Sequence, residues 1–123
     1  MYRVTKEAYI SASHHLRNYN GKCERMHGHN WRVKVTVEGE KLNEGGMLVD
    51  FHEVKACMKK VLDVLDHSDL NELPPFTKID PSAENIAKYV FDNISELLNT
   101  ENARVSQIEV WETPTSCATY IAD

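Results

Sequence analysis

Apolar positions alternate at both ends of the chain and recur at helical spacing in its middle. Between Tyr2 and His14, Val4, Ala8, Ile10 and Ala12 share one phase, and His14 continues it. This predicts a strand. A polar loop with Asn18, Asn20, Gly21 and Lys22 follows. A second strand is predicted from about Met26 to Glu38, where Trp31, Val33, Val35 and Val37 alternate with Arg32, Lys34, Thr36 and Glu38. Gly39 and the Gly45-Gly46 pair mark turns. The period then lengthens. Phe51, Val54, Met58, Val61, Leu62 and Leu65 form one stripe of a helix spanning Phe51 to Asp66. Leu73-Pro74-Pro75-Phe76 cannot continue a helix. Asp80-Pro81 has the form of an N-cap followed by proline at the first helical position, with Glu84 in the first turns. Ile86, Val90, Ile94, Leu97 and Leu98 give this second helix its apolar face. Arg104 to Glu112 and Cys117 to Ile121 close the chain as two strands, joined through Thr113-Pro114-Thr115-Ser116 in a hairpin.

The order ββααββ predicts an α+β domain over residues 1–123: a four-stranded antiparallel sheet with both helices on one face. Such a sheet has two free edges, a liability for a monomer that association through the strands would remove. Composition narrows the class. The chain has 123 residues, 41% hydrophobic and 27% charged, which suits one globular domain. A net charge of -5 argues against a general nucleic-acid binder but leaves room for a local basic pocket. No apolar run is long enough to span a bilayer. No secretory pattern stands among Arg3, Lys6 and Glu7. The three cysteines, Cys23, Cys57 and Cys117, have no paired spacing. A reduced, cytoplasmic protein is expected, with Cys57 and Cys117 as small, at least partly buried apolar residues.

Candidate chemistry centres on His27-Gly28-His29. Histidines at i and i+2 of a strand project from one face. These two are in phase with Trp31 and Val33. With His14 from the neighbouring strand they could supply three imidazole nitrogens to a divalent metal, leaving one position open, as in catalytic zinc sites. Cys23, four residues before His27, is then a candidate acid/base. A closed structural site of one cysteine and three histidines satisfies the same spacing, and a bare His-x-His pair is compatible with surface or core histidines. Asp66-His67 ends the first predicted helix. A carboxylate beside an imidazole can orient it and stabilise its charged form, although a solvated helix terminus has the same sequence. Glu112 falls in phase with Ile108 and Val110, so it needs a partner or a solvated strand end. An internal arginine, or a ligand with paired N–H donors, would serve.

These fragments stand in the order and spacing of one family. Ala12-Ser13-His14, Cys23-Glu24-Arg25-Met26-His27-Gly28-His29, Val49-Asp50-Phe51, Leu65-Asp66-His67, Pro81-Ser82-Ala83-Glu84-Asn85 and Trp111-Glu112-Thr113 resemble the 6-pyruvoyltetrahydropterin synthase family over nearly the whole chain. The pattern is most similar to its 6-carboxytetrahydropterin synthase branch, which serves queuosine precursor biosynthesis. Ile10 and Ser13 depart from the phenylalanine and alanine common before the first ligand, without touching the ligand. Some relatives carry glutamate at the cysteine position and serve folate synthesis. Here Cys23 holds that position and Glu24 follows it.

The resemblance implies a tunnelling fold assembled as a homohexamer of two stacked trimers, with active sites at subunit interfaces. It implies zinc on His14, His27 and His29, and 7,8-dihydroneopterin triphosphate as substrate. Cys23 would move protons at the side-chain carbons, with Asp66 and His67 as the opposing relay. Glu112 would anchor the amino-pyrimidine edge of the pterin, and Lys22 and Arg25 would attract the triphosphate. The implied products are 6-carboxy-5,6,7,8-tetrahydropterin, acetaldehyde and triphosphate. The alternatives are a 6-pyruvoyltetrahydropterin synthase, which eliminates triphosphate without cleaving a carbon–carbon bond, and a non-catalytic binding module stabilised by zinc.

Overall fold

A computed structural model describes residues 1–17 and 25–123. Strands β1 (Tyr2–His14) and β2 (His27–Gly39) pair antiparallel along their whole length, from Tyr2 opposite Gly39 to His14 opposite His27. Helix α1 (Phe51–Leu65), a two-residue strand β3 (Ser68–Asp69) and helix α2 (Ala83–Leu98) follow. β4 (Arg104–Thr113) and β5 (Ser116–Ile121) close the chain as a hairpin. The sheet order is β3-β1-β2-β4-β5. The four long strands form the antiparallel sheet that the alternation predicts. β3 adds a fifth, parallel to β1 at Ala12 and Ser13, and so makes the sheet mixed. Two residues carry no detectable period, which is why the pattern is silent on it.

The core lies between the sheet and both helices. Ile10, Trp31, Val33, Val35, Val37, Ile108 and Val110 line the inner face of the sheet and are at most 3% exposed. Val54, Met58, Leu62 and Leu65 of α1, with Ile86, Val90 and Ile94 of α2, cover them. Each such side chain contributes ~1.5–3 kcal/mol by leaving water. Two stripe residues do not join this core. Phe51 is half exposed because its Cβ at the first helical position points back beyond the helix end. Leu97 is half exposed because Leu98, about 100° further round the helix, takes the inward place.

Helix ends differ slightly from the sequence expectation. Asp50 caps α1 by accepting from His52 N, and Asp66 is the C-terminal cap. At α2 the cap is Ser82, whose hydroxyl accepts from Asn85 N at 3.2 Å, rather than Asp80. Pro81 therefore stays outside the helix. Asp80 is held instead by Arg17, and its carbonyl accepts from Asn85 Nδ2 at 2.9 Å. At the far end of β2, a side chain on Gly39 would collide with the Asn102 carbonyl and Leu48, so this close approach requires glycine. Cys57 is partly buried, whereas Cys117 is exposed, because β5 directs it away from the helices. None of the described helices is long and apolar enough to cross a membrane.

Candidate metal centre

The register of β1 and β2 assembles the site. His14 stands opposite His27, Ala12 opposite His29, and Ile10 opposite Trp31. Facing residues of an antiparallel pair share a face, so the three imidazoles extend the core side of the sheet at one end. Trp31 forms the floor. Its indole N–H donates to the Ala12 carbonyl at 3.2 Å, and its ring meets His14 and His29 edge-on at 4.8 and 5.1 Å between centroids.

Backbone carbonyls set the tautomers. His14 Nδ1 lies 2.7 Å from the Pro81 carbonyl oxygen, and His27 Nδ1 lies 2.7 Å from that of Arg25. A carbonyl can only accept, so in both rings Nδ1 carries the proton. In a neutral imidazole that leaves Nε2 as a bare lone pair. These two bare atoms nevertheless face each other at 3.1 Å. The third member, His29 Nε2, is buried with no hydrogen-bond partner. Burial, with His14 and His27 acting in the same sense, holds the His29 pKa below its ordinary 6.5 against the opposing pull of Glu112. Converging acceptors without protons between them repel, and a cation at their centre removes the repulsion. The donor set fits a divalent metal such as zinc, with the outward nitrogens of His14 and His27 fixed by backbone carbonyls.

Glu112 completes the group. It is the extra residue of a bulge in β4, between the Trp111–Cys117 and Thr113–Ser116 pairs. Bulges re-aim side chains beside active sites. Trp111 turns outward under Arg32, whose guanidinium sits 4.5 Å over the indole, and Glu112 turns inward. One carboxylate oxygen lies 3.2 Å from His14 Nε2 and 3.0 Å from His29 Nε2. Among the described residues His14, His27, His29 and Glu112 form a group able to hold a metal ion. The inward phase of Glu112 signalled that it needed a partner, and the partners are two histidines.

Asp66 and His67 lie apart from this group, at the outer edge of β1. Asp66 Oδ1 accepts from Ser11 N at 2.8 Å and from His67 Nδ1 at 3.0 Å. The Ser11 amide is the larger cause of an Asp66 pKa below the usual carboxylate value, and His67 acts in the same direction. His67 adopts a left-handed backbone, φ 56°, and its N–H donates to the Ser11 carbonyl at 2.6 Å. The pair is thus a carboxylate-oriented imidazole on a strained turn. A cleft of about 540 Å³, lined by Ser11, Ser13, Asn30 and Ser68 among others, brings His29 and His67 to one surface.

Of the remaining expected site residues, Arg25 is exposed, and its carbonyl rather than its side chain serves the site. Cys23 and Lys22 lie outside the described residues. Three supports carry no sequence signal. The Pro81 carbonyl is one. Another is Arg17, which clamps the loop before Pro81 by donating to the Phe76 and Ile79 carbonyls and to Asp80. The third is Asn71, whose side chain clasps both the N–H and the carbonyl of His15.

The fold and the histidine cluster define a tunnelling-fold enzyme. The sequence profile described as 6-pyruvoyl tetrahydropterin synthase matches residues 3–123. The chain is 36% identical to 6-carboxy-5,6,7,8-tetrahydropterin synthase of Bacillus subtilis, over 97% of this chain and 84% of that protein. It is 30% identical to the Haemophilus influenzae protein of the same name, over 98% and 99%. The structure of 6-pyruvoyl tetrahydropterin synthase from Caenorhabditis elegans superposes with a TM-score of 0.88 at 30% identity, covering 100% of this chain and 98% of that one. The chain belongs to the 6-pyruvoyl tetrahydropterin synthase family.

Proposed function

We propose that this chain is a zinc-dependent lyase that converts 7,8-dihydroneopterin triphosphate to 6-carboxy-5,6,7,8-tetrahydropterin, acetaldehyde and triphosphate. It would act in the cytoplasm, in queuosine precursor biosynthesis. The observation that carries this reading is the convergence of three imidazoles, two of them with tautomers fixed by backbone carbonyls, and a cleft lined by both His29 and the carboxylate-oriented His67. The bacterial relatives named for this activity support it.

His14, His27 and His29 hold the metal. When bound, it supplies Lewis acidity that lowers the pKa of substrate side-chain hydroxyls. Cys23, as thiolate, takes and returns protons at the side-chain carbons, and a cation beside it would favour the thiolate. Asp66 holds His67 by Nδ1 and thereby frees Nε2 to exchange a proton across the cleft. The Glu112 carboxylate accepts the paired N–H donors of the pterin's amino-pyrimidine edge. Lys22 and Arg25 attract the triphosphate. Among the described residues β1 from Tyr2 to Ile10 and β5 each leave one edge without a partner strand. A homohexamer of two trimers would cover these edges.

The test is incubation of the zinc-loaded protein with 7,8-dihydroneopterin triphosphate and identification of products by mass. Acetaldehyde together with 6-carboxytetrahydropterin is expected. Triphosphate release without acetaldehyde would assign the chain to 6-pyruvoyltetrahydropterin synthesis, the activity after which the human relative, 30% identical, is named. No turnover by fully metallated protein would leave a zinc-stabilised binding module.

A further inference from the structure

A tetrahedral zinc with ligands at ~2.0–2.1 Å places those ligands ~3.3–3.4 Å from one another. Three of the six separations are close to such edges. His14 Nε2 is 3.1 Å from His27 Nε2, and one Glu112 oxygen is 3.2 Å from His14 Nε2 and 3.0 Å from His29 Nε2. All four ligand atoms lie within 4.8 Å of one another. The Glu112 oxygen therefore stands within one such edge of two of the three histidine nitrogens, close enough to take the position that a three-histidine site leaves to solvent or substrate.

Hydrogen bonding accounts for only one of these two approaches. The Pro81 carbonyl requires the His14 proton on Nδ1, so the Glu112 carboxylate faces a bare Nε2. Toward His29 the approach is 3.0 Å, where a proton on His29 Nε2 can be shared with the carboxylate. Toward His14 no proton is shared, so the carboxylate oxygen and the bare Nε2 repel unless a cation lies between them. Alternation along β4 turns Glu112 to this face, at the position of the bulge.

We propose that Glu112 is the fourth protein ligand of the metal in the substrate-free chain, so that the resting site is closed. Substrate hydroxyls reach the metal only when Glu112 lets go. The carboxylate is then released to accept the pterin's N–H donors, so one side chain couples substrate recognition to opening of the metal. That handover rests on the pterin reading given above. The resting coordination rests on the geometry alone.

The experiment uses the full chain loaded with cobalt(II) in place of zinc, without any pterin, and azide as a probe of an open coordination position. In the wild-type protein the visible spectrum should show a four-coordinate ion that azide barely perturbs. In Glu112→Gln azide should bind at least ~10-fold more tightly, and zinc affinity by chelator competition should fall by ~10-fold or more. Glu112→Asp, which keeps the charge and loses reach, should fall between them and stands in if the glutamine variant does not fold. Equal azide affinity and equal zinc affinity in wild type and variant would overturn the proposal. So would an intense thiolate-to-cobalt charge-transfer band in the wild type, which assigns the fourth position to a cysteine. No pterin enters the measurement, so its outcome stands whatever substrate the turnover assay identifies.

Discussion

Two histidine sites on this chain are built in opposite ways. In the cluster of His14, His27 and His29, His14 is only 3% exposed, and the outer nitrogens of His14 and His27 donate to backbone carbonyls. His67 is 81% exposed, donates to a carboxylate, and sits on a left-handed residue at a helix end. A carbonyl partner fixes a tautomer without adding charge and leaves a lone pair aimed at a metal. A carboxylate partner stabilises the imidazolium and so suits a group that gains and loses a proton. The same side chain is thus adapted to hold a cation in one place and to move a proton in the other.

The largest break in this comparison is at the ligands. His29→Ala is expected to abolish metal binding and turnover together. Full zinc occupancy in that variant, measured by metal analysis, would remove His29 from the ligand set. The relay should behave differently. His67→Gly is expected to lower turnover by ~10²–10⁴ while zinc content is unchanged. Its stability should stay within about 1 kcal/mol of wild type, since glycine relieves the left-handed backbone. Loss of zinc in His67→Gly would contradict the separation of roles. Cys23→Ala should follow the relay, with zinc retained and most turnover lost; zinc loss would make Cys23 a structural ligand.

Acid sharpens the contrast. His29 has a depressed pKa in the fold, so its neutral, metal-competent form is fully present above its ordinary 6.5. That contribution is lost as pH falls through the lower folded value, and protons compete with the metal in the same direction. Asp66 is also depressed, but from 3.8, so its contribution persists to much lower pH. On acidification zinc release should precede any loss of the Ser11–Asp66 anchor. Metal release followed by a chelating dye, beside amide exchange at Ser11, would report the order. The smallest expected effect is indirect. Arg17→Met leaves every ligand in place but loosens the loop that presents the Pro81 carbonyl, so zinc affinity should fall by about 10-fold with the fold intact.

The sequence by itself determined a good deal. Alternation at period two placed His14, His27 and His29 on the inner face, because a strand offers a side chain only two directions. The same alternation, with the helical stripes, defined the four long strands and two helices, and it put Glu112 on the apolar side, where it needed a partner. Tertiary structure decided what no local pattern encodes. It added β3, whose two residues carry no period. It moved the α2 cap from Asp80 to Ser82, because Arg17 engages Asp80 and leaves the Pro81 carbonyl to His14. It turned Cys117 outward and supplied Glu112 with two histidines as partners. Each of these depends on groups distant in sequence meeting in space. Pro81 meets His14 across 67 positions, and Asp66 meets Ser11 across 55. A period in one segment constrains only the face that segment buries, so the partners it meets there are fixed by the packing of the whole chain.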